Sequence, residues 1–182
     1  PDGVYRRVPV LQHYQNGYYP SLALAMLMAL MDSKEITPLI EQDITGRLNA
    51  LVGIDAAGIQ IPTDQNGAVL VPYRGYQGSF PYVSATDVIS AKADLSQLEG
   101  AIVLIGTSAA GLLDLRVTPM QNRYPGVEVH ANIIAGMLDE QLRSRPDYIL
   151  GVELLQLLLS GLVLSLVLPR TSVVGAFVTT LA

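Results

Sequence analysis

The sequence of 182 residues contains no cysteine, only two histidines and few charged residues. Without cysteine, disulfide bonds, thiolate metal sites and cysteine nucleophiles are excluded. Only 11 residues are lysine or arginine and the formal net charge is −5. This argues against a nucleic-acid-binding protein, because phosphate contacts need clustered basic side chains. The chain is 50% hydrophobic and only 15% charged, a composition opposite to that of a disordered protein.

The hydrophobic residues are concentrated at the C-terminal end, where residues 149–182 contain only two charged side chains. As a helix, residues 149–168 would be about 30 Å long, which matches the hydrocarbon thickness of a bilayer. We therefore predict a transmembrane helix at 149–168, a short loop at 169–172 and the start of a second transmembrane helix at 173–182. The alternative is a buried helical hairpin that ends a soluble protein.

The predicted loop contains Arg170. Because basic residues favour cytoplasmic loops, the body of the chain, residues 1–148, is predicted to lie on the extracytoplasmic side. No signal peptide precedes Pro1, and the chain opens on a turn pair, Asp2-Gly3. We therefore expect the sequence to begin within a domain.

The body has the pattern of an α/β domain. Residues 101–105 (Ala-Ile-Val-Leu-Ile) form an apolar run typical of a strand buried on both faces. Apolar residues at helical spacing predict a helix near 128–142, and residues 20–31 predict a short core helix. Thr37-Pro38 is a favourable helix start, with threonine as the cap.

A β-hairpin is predicted where Asn66-Gly67 separates residues 59–61 from residues 68–71, because this dipeptide supplies the positive φ angles of a tight turn. The overall expectation is an α/β fold, with a layered sheet, flanking helices and a β-hairpin. A C-terminal transmembrane helix and part of a second would follow it.

A glycine-containing segment, residues 106–111 (Gly-Thr-Ser-Ala-Ala-Gly), follows the predicted strand. No Lys-Ser or Lys-Thr pair follows it, which excludes a Walker site, and Ser108 stands where a dinucleotide fingerprint has its second glycine. Backbone N–H groups here can hold a small anion. A tight turn after a core strand is the simpler interpretation.

The order Ser108, Asp114, His130 imitates a hydrolase triad. However, Ala110 replaces the last glycine of the nucleophile elbow, and both partners follow within 22 residues of the serine. With two histidines and no cysteine, the chain has few ligands for a transition metal. We predict no metal and no cofactor.

A polar cluster of Asp114, Glu128 and His130 is predicted at the end of the strand, where open α/β sheets bind ligands. The alternative role for these side chains is to fix loops by hydrogen bonds.

Several segments of the body match one known family. They are residues 2–10, 19–23, 61–64, Gly67, 73–75, 80–88, 100–114, 118–119 and 125–134. With these segments the sequence resembles the CHASE2 family, whose domains are extracytoplasmic sensors of bacterial receptors. The most specific segment is residues 125–132 (Pro-Gly-Val-Glu-Val-His-Ala-Asn).

The resemblance implies a wider organisation of the receptor. In this family a transmembrane helix precedes the sensor domain, and usually three follow it before a cytoplasmic output module. That module is often a class III adenylate cyclase, otherwise a histidine kinase, a diguanylate cyclase or a Ser/Thr kinase. Against this pattern, we expect the chain to lack the first helix and the first part of the sensor. No cyclase or kinase motif is present in it.

We therefore predict the periplasmic input module of a receptor in the bacterial inner (plasma) membrane, without catalytic residues of its own. Its expected partners are the membrane, a second copy of the chain, an unidentified small molecule or physical signal, and no nucleic acid. The candidate ligand-binding residues are Thr107, Ser108, Asp114, Glu128, His130 and Asn132. The alternatives are a membrane-anchored serine hydrolase using Ser108 and a structural module that only dimerises and anchors.

Overall fold

The computed structural model describes four parts of the chain: residues 2–42, 49–107, 114–143 and 149–167. The chain divides into two compact units, Pro1–Ser144 and Arg145–Ala182.

The first unit combines short strands with short helices. Its strands are β1 (Arg7–Pro9), β2 (Leu11–Tyr14), β3 (Gly17–Pro20), β4 (Ile36–Gln42), β5 (Asn49–Ala56), β6 (Ile59–Pro62), β7 (Ala68–Leu70), β8 (Leu115–Arg116) and β9 (Tyr124–Pro125). Its helices are α1 (Leu22–Leu30), α2 (Ala85–Ile89), a 3-10 turn (Leu95–Leu98) and α3 (Gly126–Leu138). The second unit contains α4 (Ile149–Val167). The predicted α/β class is confirmed.

The strands form several small antiparallel sheets. The pairs are β1–β7, β2–β3 and β8–β9, and the largest sheet has the order β4-β5-β6. The β2–β3 hairpin is open to solvent, with Tyr14, Tyr18 and Tyr19 between 56% and 67% exposed.

The core forms where α1 and α3 pack together, with the small sheets around them. Helix α1 begins after Ser21, whose hydroxyl oxygen accepts a hydrogen bond from the Leu24 backbone N–H. Leu24 and Leu27 are fully buried, as is Ile133 of α3. The predicted core helix at residues 20–31 is therefore confirmed.

The helix predicted from Thr37-Pro38 is wrong, because these residues lie in β4 and pair with β5. β-Branched side chains at Ile36, Thr37 and Ile40 favour a strand. Pro38 is tolerated because β4 is an edge strand of its sheet, where a missing N–H donor costs little.

The hairpin predicted between residues 59–61 and 68–71 is also wrong. The Asn66-Gly67 turn forms, and Gly67 has φ +70°, but β6 pairs with β5 while β7 pairs with β1. The hairpin that does form joins β5 to β6 through Ala57 and Gly58, both with positive φ, as a primed turn requires.

The buried strand predicted at residues 101–105 is not observed. This segment has no strand partner among the described residues. Ile105 is 94% exposed, and Leu104 packs against the core. An apolar run becomes a buried strand only when neighbouring strands satisfy its backbone, and the described residues provide none.

Helix α3 begins and ends earlier than the predicted 128–142. Helix α4 covers the predicted span almost completely, and it is long and apolar enough to cross a membrane, with a mean hydropathy of 2.1. The predicted loop at 169–172 and the second helix at 173–182 lie outside the described residues.

Candidate functional site

A cavity of about 110 Å³ lies where β8 and the start of α3 meet the N-terminal segment. Three polar side chains line it, Asp114, Arg116 and His130. The rest of its wall comes from Tyr5, Val8, Gly126 and Val129.

Backbone hydrogen bonds hold the three segments of this cavity together. The Tyr5 N–H donates to the Val117 carbonyl oxygen at 2.8 Å, and the Gly126 N–H donates to the Asp114 carbonyl oxygen at 2.8 Å. The first bond fixes the N-terminal segment to the residue after β8, and the second fixes the residue before β8 to the start of α3.

Tyr73 also positions the wall of the cavity. Its hydroxyl donates to the Tyr5 carbonyl oxygen at 2.7 Å. Burial raises the pKa of Tyr73 to about 12, so this hydroxyl keeps its proton and remains a donor.

Asp114 and Arg116 form an ion pair inside the cavity. One guanidinium nitrogen lies 3.3 Å from Oδ1 of Asp114, and the guanidinium carbon lies 5.3 Å from the centre of the Tyr5 ring, within cation–π range. About a third of each side chain is exposed, 39% for Arg116 and 35% for Asp114. A ligand in the cavity therefore meets one positive and one negative group.

A glycine is required beside this pair. A Cβ atom at Gly126 would overlap the Asp114 carboxylate. The absent side chain lets the carboxylate lie against the first turn of α3.

His130 contributes a polar group without a charge. The side chain is half-buried, and its Nδ1 atom is buried without a hydrogen-bond partner among the described residues. Burial lowers the pKa of His130, and the nearby Asp114 opposes part of that effect. The imidazole is therefore neutral at neutral pH.

Glu128 lies on the same helix, but its carboxylate forms hydrogen bonds with a loop instead of lining the cavity. Its carboxylate is buried and accepts hydrogen bonds from the Gly78 N–H at 3.1 Å, the Ser79 N–H at 3.0 Å and the Tyr82 hydroxyl at 2.7 Å. Burial and the Glu128 carboxylate raise the pKa of Tyr82, which keeps this donor protonated. The contacts of Glu128 are those of a loop-fixing residue, the second of the two roles predicted for it.

The side-chain amide of Asn132 likewise forms its hydrogen bonds with other residues of the protein. Its amide nitrogen donates to the Tyr124 hydroxyl at 2.9 Å and to the Glu128 carbonyl oxygen at 2.8 Å. Its amide oxygen accepts from the Arg74 N–H at 2.9 Å. Asn132 is fully buried, so it joins three segments rather than facing a ligand.

Thr107 is exposed and does not line the cavity. It follows Gly106, where a Cβ atom would lie 2.5 Å from Cβ of Val127. The end of the 101–107 segment is therefore close to the first turn of α3. Ser108 lies outside the described residues, so its predicted roles, including that of a nucleophile, stay predictions.

The CHASE2 domain family model matches residues 1–168, nearly the whole chain. The chain belongs to the CHASE2 family. CHASE2 domains are extracytoplasmic sensor domains of signalling receptors, not catalytic domains. The match includes α4, the helix that could span a membrane. No curated protein and no solved structure matches the chain.

Of the seven residues that line the cavity in this CHASE2 chain, the sequence indicated only Asp114 and His130 as site residues, and the most important of the five others are Arg116 and Tyr5. Arg116 carried a usable signal, because residues two apart on a strand point to the same face, which places Arg116 beside Asp114. Tyr5 carried none, since its place in the cavity depends on pairing between segments that are more than 100 residues apart.

Proposed function

We propose that this chain is the input module of a bacterial membrane receptor, with its body in the periplasm and its state transmitted to a cytoplasmic output domain. The observation that carries this proposal is the CHASE2 match, which runs from the body through a helix long and apolar enough to span a membrane. The output domain in this proposal is an adenylate cyclase, as the family resemblance implies, and the receptor is a homodimer.

In this proposal the cavity is the sensing site, and Asp114 and His130 face the signal. Arg116 joins them, because it lines the same cavity. Glu128 and Asn132 act as positioning residues that hold α3 against the loop around Gly78 and against Arg74. A ligand regulates the output only if it binds the active and inactive states with different affinity.

The test is the output of the complete receptor, expressed in cells, with variants in the cavity. Cyclic AMP is measured in Asp114→Asn and His130→Gln, beside matched controls at exposed positions, Asp32→Asn and His13→Gln. Coupling free energies between sites typically correspond to changes of about fivefold or more. We expect a change of that order in the two cavity variants and none in the controls.

Three further results decide between the parts of this proposal. Unchanged output in both cavity variants, with native circular dichroism, would remove the cavity as the sensing site. A change in cyclic di-GMP or in phosphorylation, without a change in cyclic AMP, would replace the cyclase with another output domain. Labelling by a fluorophosphonate probe that disappears in Ser108→Ala would instead favour the hydrolase.

A further inference from the structure

We propose that the cavity binds a small zwitterion of the α-amino-acid class, with the ligand's carboxylate on Arg116 and its ammonium group on Asp114. This inference rests on the proposed sensor function and specifies its ligand.

The charges of the cavity favour a ligand that carries both signs. A simple anion would be attracted by Arg116 and repelled by Asp114, and a simple cation would meet the reverse. A zwitterion places each of its charges against the opposite one. The neutral imidazole of His130 adds no net charge to this balance.

Among the residues that the structure describes, the hydrogen-bonding capacity of the pair is only partly used. Arg116 gives Asp114 one hydrogen bond, at 3.3 Å, while a guanidinium has five N–H donors arranged to bind a carboxylate with two parallel bonds. Among the described residues, Oδ2 of Asp114 accepts no hydrogen bond. Because about a third of each side chain is exposed, water screens this ion pair, and a ligand can replace the single bond at modest cost.

The size of the cavity favours a small ligand. It measures about 110 Å³, less than the roughly 150 Å³ of an enclosed cavity that holds benzene with its six heavy atoms. Because this cavity is partly open to solvent, glycine and alanine, with five and six non-hydrogen atoms, are the expected size. Val8 and Val129 supply an apolar wall for a methyl group.

The test is thermal unfolding of the full chain in detergent, with L-alanine, acetate or methylamine added. A ligand that binds only the native state raises Tm, by about 2 °C or more at tenfold excess over Kd. We expect this shift with alanine and not with acetate or methylamine, each of which carries one of the two charges.

Variants then locate the binding. Arg116→Gln and Asp114→Asn should abolish the alanine shift, and Arg116→Lys should weaken it, because lysine keeps the charge but loses the paired donors. Arg123→Gln and Asp32→Asn, at exposed positions, should leave the shift intact.

Four outcomes would overturn the zwitterion. They are an equal shift with acetate, an equal shift with methylamine, an alanine shift that survives both cavity variants, and no shift with alanine up to about 10 mM, tenfold above a millimolar Kd. The comparison of ligands on the unmodified chain does not depend on how the variants fold. If the output of the receptor still responds to Asp114→Asn while alanine fails to bind, the sensor function stands and only this ligand class is wrong.

Discussion

At the scale of single residues, Glu128 and His130 lie two positions apart on α3 but have different contacts and different roles. Glu128 is turned to a loop that contributes three donors to its carboxylate, and His130 is turned to the cavity. Residues two apart on a helix do not share a face, since the helical repeat is 3.6 residues. The sequence identified both residues, but only the contacts separate positioning from sensing.

Replacing Glu128 with glutamine should destabilise the body by about 1–3 kcal/mol, because the new amide presents N–H groups to backbone donors that now bond a carboxylate. The measurement is urea unfolding, with a lower midpoint at unchanged slope as the expected result. Glu35→Gln, the same change on an exposed side chain, is the control. Equal midpoints for the two variants would show that the loop does not depend on this carboxylate.

His130 should make the body less stable in acid. Because its pKa in the folded protein lies below the usual value, the unfolded chain binds the proton first as the pH falls below about 6.5. The free energy of unfolding should therefore decrease between about pH 7 and pH 5.5, and His130→Gln should reduce that slope. Denaturant unfolding at several pH values measures it. His13→Gln, on the exposed hairpin, should keep the slope, and a slope unaffected by His130→Gln would contradict the prediction.

At the scale of elements, α3 shows what close packing requires. A Cβ atom at Gly136 would collide with the Pro72 ring and lie 3.1 Å from Cδ2 of Leu142. Gly151 of α4 is also helical, and a Cβ atom there would meet no atom within 4 Å. Alanine substitutions at the two glycines therefore distinguish the effect of packing from the effect of helix propensity.

Gly136→Ala should destabilise the body by about 1–3 kcal/mol, the usual cost of overpacking, despite the helix-forming advantage of alanine. Gly151→Ala should leave the unfolding of the body unchanged. Thermal unfolding followed by circular dichroism compares them. A higher Tm for Gly136→Ala would mean that Pro72 and Leu142 move aside easily.

The sequence predicted elements well where local pattern and packing agree. Helix α3 carries apolar residues at helical spacing, and helix α1 is a short uninterrupted apolar run of the length of a core helix, so both were predicted. Strand β4 was missed because the helix-start signal of Thr37-Pro38 competes with the β-branched residues around it, and pairing with the next strand in the chain, β5, favours the strand. The strand predicted at residues 101–105 is wrong because an apolar pattern does not show which strands are available to pair with the segment.

At the scale of the whole molecule, the family and the α/β class could be predicted, whereas the cavity could not. Motif residues such as those at 125–132 identify CHASE2 without knowledge of the fold. The cavity joins Tyr5 to Asp114 and His130, and no spacing in the sequence shows that contact.

The cysteine-free chain allows a direct test of the proposed orientation. A single cysteine at Ser96, which is exposed, should react in intact cells with a maleimide that reaches the periplasm but does not cross the inner membrane. A cysteine at Thr171, in the predicted loop, should react only after that membrane is permeabilised. The reverse pattern would place the body in the cytoplasm. The unmodified chain, which has no thiol, is the control for unspecific labelling.

The β2–β3 hairpin has a kinetic consequence for the body. Beyond Leu11 its side chains are almost all exposed, and a two-stranded hairpin without a covered face is only marginally stable. Such a segment opens locally while the core stays closed, so its backbone amides exchange with solvent faster than those of α3. Its exposed tyrosines then offer the first cleavage points to a protease that cuts after aromatic residues. Limited digestion would therefore nick the chain near its N-terminal end before the packed helices α1 and α3 open.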